Sequence, residues 1–159
     1  MKRLLLIFPF SLCLAIPACK KVRGPANEKS VQQNNNLDST VSMTASINGK
    51  PWHSDTAYGY FVDYSGNAGI RNLMITATQR INDTATTIKF NITNYTGPNT
   101  YTIDPPVNTA AYYAGNFRNF GITGTFVVAS DTAYALRGTF TFTADTFTIS
   151  SGVFDVALP

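Results

Sequence analysis

Short runs in which apolar and polar residues alternate, each closed by a turn-forming pair, constrain this chain more than any other feature. Met43, Ala45 and Ile47 alternate with polar residues, as do Ile88, Phe90 and Ile92, and again Phe140 and Phe142 between Thr139, Thr141 and Thr143. That is the two-residue period of a half-buried strand. Turn signals fall between such runs: Asn48-Gly49, Ser65-Gly66-Asn67, Asn82-Asp83, Gly97-Pro98, Pro105-Pro106, Gly115-Asn116 and Ser151-Gly152. No window after Thr40 carries a helical stripe, and Thr, Asn, Tyr and Phe abound while Glu occurs once, at Glu28. The spacing predicts an all-β domain over residues 41–159 with about nine strands, arranged as an antiparallel β-sandwich or as a sheet curled into a partly closed barrel.

The first 40 residues follow a different logic. Lys2 and Arg3 precede an apolar run from Leu4 to Ala18, which ends at Cys19 and is followed by Lys20 and Lys21. A basic start, a short apolar centre and a small residue at the end make a signal peptide over residues 1–18. The run is too short, and broken by Pro9, to span a bilayer as a helix of about 20 residues. Ala18-Cys19, with Ile16 upstream, resembles the lipobox of bacterial lipoproteins, although Pro17 departs from it. That resemblance implies acylation of Cys19, which becomes the first mature residue. Two or three acyl chains, at about 0.8 kcal/mol per buried methylene, hold a protein to a membrane almost irreversibly. Residues 19–40 are polar, with Gly24, Pro25 and the run Gln32 to Asn36, and offer little to bury. They read as a disordered tether about 25 Å in mean reach.

Several function classes lack their parts. The two cysteines are Cys13, in the leader, and Cys19, so no thiol is left for a disulfide, a redox pair or a thiolate metal site. Setting aside Lys2 and Arg3 leaves ten basic residues against nine acidic, and four of the ten (Lys20, Lys21, Arg23 and Lys29) lie in the tether. The domain therefore has no basic stripe for a phosphate backbone, and nucleic acid is not an expected partner. His53 is the only histidine. Its neighbours Ser54 and Asp55 suggest a catalytic triad, but consecutive strand residues face opposite ways and cannot form the relay. No metal, cofactor or catalytic residue is assigned. Asp63, Asp83, Asp104, Asp131 and Asp145 sit at turns, where carboxylates cap backbone donors.

Aromatic residues are dense, and those sharing the parity of apolar neighbours belong to the core. Tyr64 and Tyr95 fall in turns and are expected at the surface, where aromatic side chains meet sugars or a partner protein. Gly124-Thr125-Phe126 with Asp131-Thr132 is echoed by Gly138-Thr139-Phe140 with Asp145-Thr146 at the same spacing. Two neighbouring strands with similar demands give such an echo; a repeat array would need more copies.

Met43-Thr44-Ala45-Ser46-Ile47-Asn48-Gly49-Lys50-Pro51-Trp52 resembles the opening of an uncharacterised family of small Bacteroidetes lipoproteins. Thr100-Tyr101-Thr102-Ile103, Gly124 to Val128, Gly138 to Thr143 and Ile149 to Val156 resemble its later strands. The likeness covers most of residues 41–159, and its motifs are structural. It implies an all-β, extracytoplasmic, lipid-anchored domain with no assigned reaction. Surface-export signals of such lipoproteins place acidic residues after the cysteine, whereas Lys20, Lys21 and Arg23 stand here; the absence of Asp at position 20 points, by analogy, to the outer membrane. A periplasm-facing site follows. Asp38-Ser39-Thr40, Asp55-Thr56-Ala57, Asp83-Thr84-Ala85 and Asp131-Thr132-Ala133 resemble the Bacteroidetes O-glycosylation acceptor, which implies Ser39, Thr56, Thr84 and Thr132 as candidate sites.

The expectation is a non-enzymatic binding or envelope-accessory lipoprotein, held to the membrane through Cys19, with a protein or glycan partner. Two rival readings are a lipocalin-like carrier of a small apolar ligand, which requires an open apolar cavity, and a glycoside hydrolase, which requires two acids within about 5 to 9.5 Å in a cleft.

Overall fold

The tight turns lie where the turn-forming pairs stand. In the computed structural model, which describes residues 41–63 and 70–159, Asn48 and Gly49 take positive φ (49° and 78°), as do Asn82 and Asp83 (47° and 63°). Paired positive φ in a two-residue loop matches the right-handed twist of the strands it joins. Ten strands result: β1 (Ser42–Ile47), β2 (Lys50–His53), β3 (Thr56–Asp63), β4 (Arg71–Ile81), β5 (Thr84–Ile92), β6 (Asn99–Ile103), β7 (Thr109–Ala114), β8 (Phe117–Asp131), β9 (Ala135–Ala144) and β10 (Phe147–Ala157). The domain is all-β.

Seven of the strands close a barrel in the order β10-β3-β4-β5-β7-β8-β9, with β9 returning to β10. Of the two arrangements left open by the alternation, this is the barrel. Every neighbouring pair in the circuit is antiparallel except β10 and β3, which meet in parallel through Ala157 and Tyr58. Three strands lie off the circuit: β1 pairs with β10 and carries β2, and β6 pairs with β8.

The interior is filled. Phe90 of β5 stands 4.7 Å from Phe126, 4.9 Å from Phe140 and 5.6 Å from Phe142, ring centre to ring centre, and Phe126 stacks on Phe154 at 4.7 Å. Leu73, Ile75, Ile88, Ile92, Leu136, Ile149 and Val156 complete a core that water does not reach. A barrel with so few strands leaves just enough interior for side chains.

Three glycines make room for the rings. Gly124, Gly138 and Gly152 each stand two residues before an inward phenylalanine. A Cβ on Gly138 would collide with the Val127 carbonyl and lie 2.6 Å from the Phe154 ring; one on Gly152 would lie 2.5 Å from the Phe140 ring. The echo between β8 and β9 thus has a third member, Gly152-Val153-Phe154, in β10. Ser151-Gly152, expected as a turn, lies inside β10 instead. Ser151 takes φ 50° where the pairing of β10 with β9 shifts register between Ile149 and Gly152, so the pair forms a bulge that bends a continuous strand.

Candidate functional site

Strand ends converge at the two mouths of a barrel, so residues far apart in sequence meet there. At the first mouth Tyr60 and Phe61 of β3, Arg71 opening β4, Asp131 ending β8, Thr132 and Ala133 in the following turn, and Leu158 surround a cleft of about 560 Å³.

The turn after β5 builds the wall behind this cleft. Tyr95 donates its backbone N–H to the Arg71 carbonyl at 2.8 Å, which folds the turn back across the mouth. Its ring packs between Phe61 (5.5 Å) and Tyr101 (5.6 Å), and its hydroxyl donates to Asp131 Oδ2 at 2.9 Å. Tyr95 was expected at the surface and is 3% exposed. A turn over a barrel mouth has an inner side, and the alternation rule assigns no parity to residues in turns. Burial, and then the hydrogen bond to Asp131, hold the Tyr95 hydroxyl well above the ordinary tyrosine pKa. Tyr64, the other expected surface aromatic, lies outside the described residues, as do the leader 1–18, Cys19 and the tether 19–40.

Arg71 stacks on this wall, its guanidinium carbon 4.1 Å from the centre of Phe61 and 5.7 Å from that of Tyr95. Such stacking fixes the plane of the guanidinium while leaving its edge N–H groups to bind in the cleft. Among the described residues the one ion pair is Arg137 with Asp155; Asp63 faces Arg71 across the β3–β4 ladder and Asp131 shares its cleft, but neither closes an ion pair on it. Asp131, the only acid lining the cleft among the described residues, keeps its second oxygen free of the Tyr95 bond. It was expected to cap a backbone donor; the hydroxyl of Tyr95 has taken that role because the turn brings it within reach.

The lip is aromatic. Tyr60 is 37% and Tyr58 51% exposed, both on the outer face of β3, and their rings lie 6.3 Å apart at 20° to one another. Tyr134, in the turn beyond Thr132, is 77% exposed. Two nearly parallel rings beside a cleft bearing a guanidinium and a carboxylate offer aromatic surface next to directional donors and acceptors.

The remaining sequence candidates stand elsewhere. Ser54 Oγ accepts the Met43 N–H at 2.8 Å, and Asp55 Oδ2 accepts the N–H of Arg80. Both thus serve the backbone beside an exposed His53. Thr56 and Thr84 are exposed at strand starts, and Ser39 lies outside the described residues. The Thr132 hydroxyl is engaged in its turn, donating to the Ala135 carbonyl at 3.0 Å and accepting the Ala135 N–H at 3.1 Å. No group of three or more His, Cys, Asp or Glu residues is placed to hold a metal among the described residues.

Arg71 escaped the sequence reading altogether. Its signal was position: a cation soon after the Ser65-Gly66-Asn67 turn signal, opening a strand that ends at Asn82-Asp83, stands at a mouth. Comparison with protein-family models, curated proteins and solved structures finds no match.

Proposed function

We propose that the protein is a non-enzymatic, lipid-anchored module of the bacterial cell envelope that binds glycan at the cleft bounded by Tyr60, Arg71 and Asp131. The observation that carries this reading is the pairing of the Tyr58–Tyr60 rings with a guanidinium stacked on Phe61 and held in no ion pair among the described residues, at the edge of an open cleft. A sugar ring is amphipathic: its C–H face lies well on an aromatic π-face, and its rim of hydroxyls needs fixed donors and acceptors. Arg71 supplies donors, Asp131 an acceptor, and Tyr60 the surface. Asp131 is the one acidic side chain of the lining among the described residues, which favours binding over two-acid hydrolysis.

The resemblance of residues 43–52 and of the closing strands to the Bacteroidetes lipoprotein family supports an envelope location. The Ala18-Cys19 junction supports anchoring through acyl chains, with the domain on the periplasmic side of the outer membrane and Ser39, Thr56, Thr84 and Thr132 as candidates for O-glycosylation.

The test uses the mature chain with Cys19→Ser, which removes the acyl group without touching the domain. It is applied to an array of bacterial polysaccharides and peptidoglycan fragments. At least one glycan class is expected to bind, and Tyr60→Ala and Arg71→Gln should each weaken it by at least tenfold, about 1.4 kcal/mol. Binding that ignores both substitutions, or an array with no bound glycan, would overturn the reading. Acyl mass on Cys19 in protein from its host tests the anchor separately.

A further inference from the structure

The second mouth, at the other end of the barrel, has a different chemistry. The Asn48-Gly49 turn carries β1 and β2 past the rim, which sets Trp52 against β4, β5 and β7. With Ile47, Ile81, Tyr112, Phe147 and Lys50 it bounds a groove of about 320 Å³. The eleven residues of β4 run from Arg71 at the first mouth to Ile81 at the second, about 30 Å of strand, and the phenylalanine core fills the space between. The two mouths are therefore separate sites.

Two polar handles of the floor are already used, while Gln79 keeps its amide in the lining. Trp52 donates its indole N–H to Thr86 Oγ1 at 2.8 Å, and Asn48 accepts the Thr148 N–H at 2.7 Å. The rest of the groove is mainly ring surface: Trp52 and Tyr112 are buried, and Phe147 meets Tyr112 edge to face at 4.9 Å. Ile81, 58% exposed, forms an apolar rim. A volume of about 150 Å³ holds benzene when its walls are apolar, so this groove has room for a body of roughly two rings or a short acyl chain. It stands at the small end of the range for ligand sites, roughly 300 to 1,000 Å³.

Charge selects the head group. Lys50 is the single charged residue of the lining, and no carboxylate lines the groove or pairs with Lys50 among the described residues. Its ammonium ends a flexible stem at an open rim, where it reaches an anion without drawing that anion into the apolar floor.

We infer that this mouth binds a small amphiphilic carboxylate, its apolar body on Trp52, Tyr112 and Phe147 and its carboxylate on Lys50. Because the interior is packed, such a ligand rests in the mouth and not inside the barrel, unlike the cargo of a hollow carrier. The site does not depend on the glycan cleft.

Trp52 is the sole tryptophan of the chain, so its fluorescence reports on the groove directly. The mature Cys19→Ser chain is titrated with octanoate, octanol and octylamine, which share one apolar body and differ in the head. Octanoate should give a saturable change and bind at least threefold tighter than octanol and tenfold tighter than octylamine. Lys50→Met should bring octanoate and octanol within twofold of each other, Ile81→Asn should weaken all three, and Tyr60→Ala, at the other mouth, should leave octanoate binding intact. Equal binding of the three heads, a preference for octanol or octylamine, a preference for octanoate that survives Lys50→Met, or no saturable response would each overturn the proposal.

Discussion

The two halves of the barrel wall are built on different rules. From β3 through β4 to β5 the register runs without interruption, Thr56 to Asp63 against Thr78 to Arg71 and Leu73 to Ile81 against Ile92 to Thr84. From β8 through β9 to β10 it shifts twice in one pair of strands and once in the next. The first half is covered inside by Ala57, Leu73, Ile75, Ala77, Ile88 and Phe90, residues whose volumes suit an ordinary pleat. The second sets glycine against phenylalanine: Gly138 pairs with Phe154, Gly152 with Phe140 and Gly124 with Phe142. At Gly138 and Gly152 the missing side chain is filled by a ring from the neighbouring strand, at Gly124 the neighbouring backbone itself comes close, and the bulges bend the wall enough to close it. Regular alternation makes a sheet, and the glycine–phenylalanine pairs with their bulges turn it into a barrel.

Adding one methyl group to each half measures the difference. Gly138→Ala is expected to destabilise the domain by about 3 kcal/mol or more, the upper range for overpacking, because the obstruction includes the Val127 carbonyl as well as the Phe154 ring. Backbone held by ladders on both sides cannot move aside as a flexible side chain does. Urea denaturation followed by Trp52 fluorescence gives the number, and a loss under 1 kcal/mol would mean that the second half is no tighter than the first.

That contrast also marks what the sequence made legible. Alternation in Ile88-Lys89-Phe90-Asn91-Ile92 and in Thr139 to Thr143 is a property of one strand, so it is visible before any pairing is known. The fit of Gly152 beneath Phe140 belongs to two strands, and Ser151-Gly152 alone reads as a turn because a glycine's close neighbour lies elsewhere in the chain. The third copy of the echo was in plain sight at Gly152-Val153-Phe154 and lacked only a reason to be counted. The cleft was less legible still. Arg71 and Asp131 are brought together by the closure of the circuit through β7, β8 and β9, and local pattern carries no trace of that closure. Tyr95 was misplaced for a related reason: its burial is set by the two walls it bridges.

Tyr95 joins the halves, bonding to the Arg71 backbone in the first and to Asp131 in the second. Tyr95→Phe is expected to cost about 1.5 to 3 kcal/mol at pH 8, the range for a hydrogen bond to a charged acceptor. The pH dependence identifies it further. The raised pKa means that ionisation of Tyr95 favours the unfolded chain, so its stabilisation is complete below the ordinary tyrosine value of about 10 and is lost as pH climbs above it. Between pH 10 and 11.5 the wild type should lose stability more steeply than Tyr95→Phe, by one proton or about 1.4 kcal/mol per pH unit where the unfolded tyrosine is ionised. Tyr112, also raised by burial, contributes equally to both proteins. Parallel slopes would show that Tyr95 ionises as freely in the folded domain as out of it, and that the two halves are not joined through its hydroxyl.

The smallest effect carries the sharpest contrast, since it should have the opposite sign. Gly59 lies in β3, in the regular half, and is buried like Gly138. A Cβ there would meet Ile75 and Leu158 at 3.4 Å and Val156 at 3.5 Å, all side-chain atoms at ordinary contact distance. Its φ is not positive, so alanine adopts the same backbone without strain. Gly59→Ala should therefore stabilise the domain by about 0.5 kcal/mol, mainly by restricting the unfolded chain. The same exchange, in the same fold and at the same depth, thus divides by what the new methyl meets: side chains at contact distance in one half, a backbone carbonyl and a ring in the other. If Gly59→Ala proves as damaging as Gly138→Ala, burial alone explains both, and the two halves obey one rule.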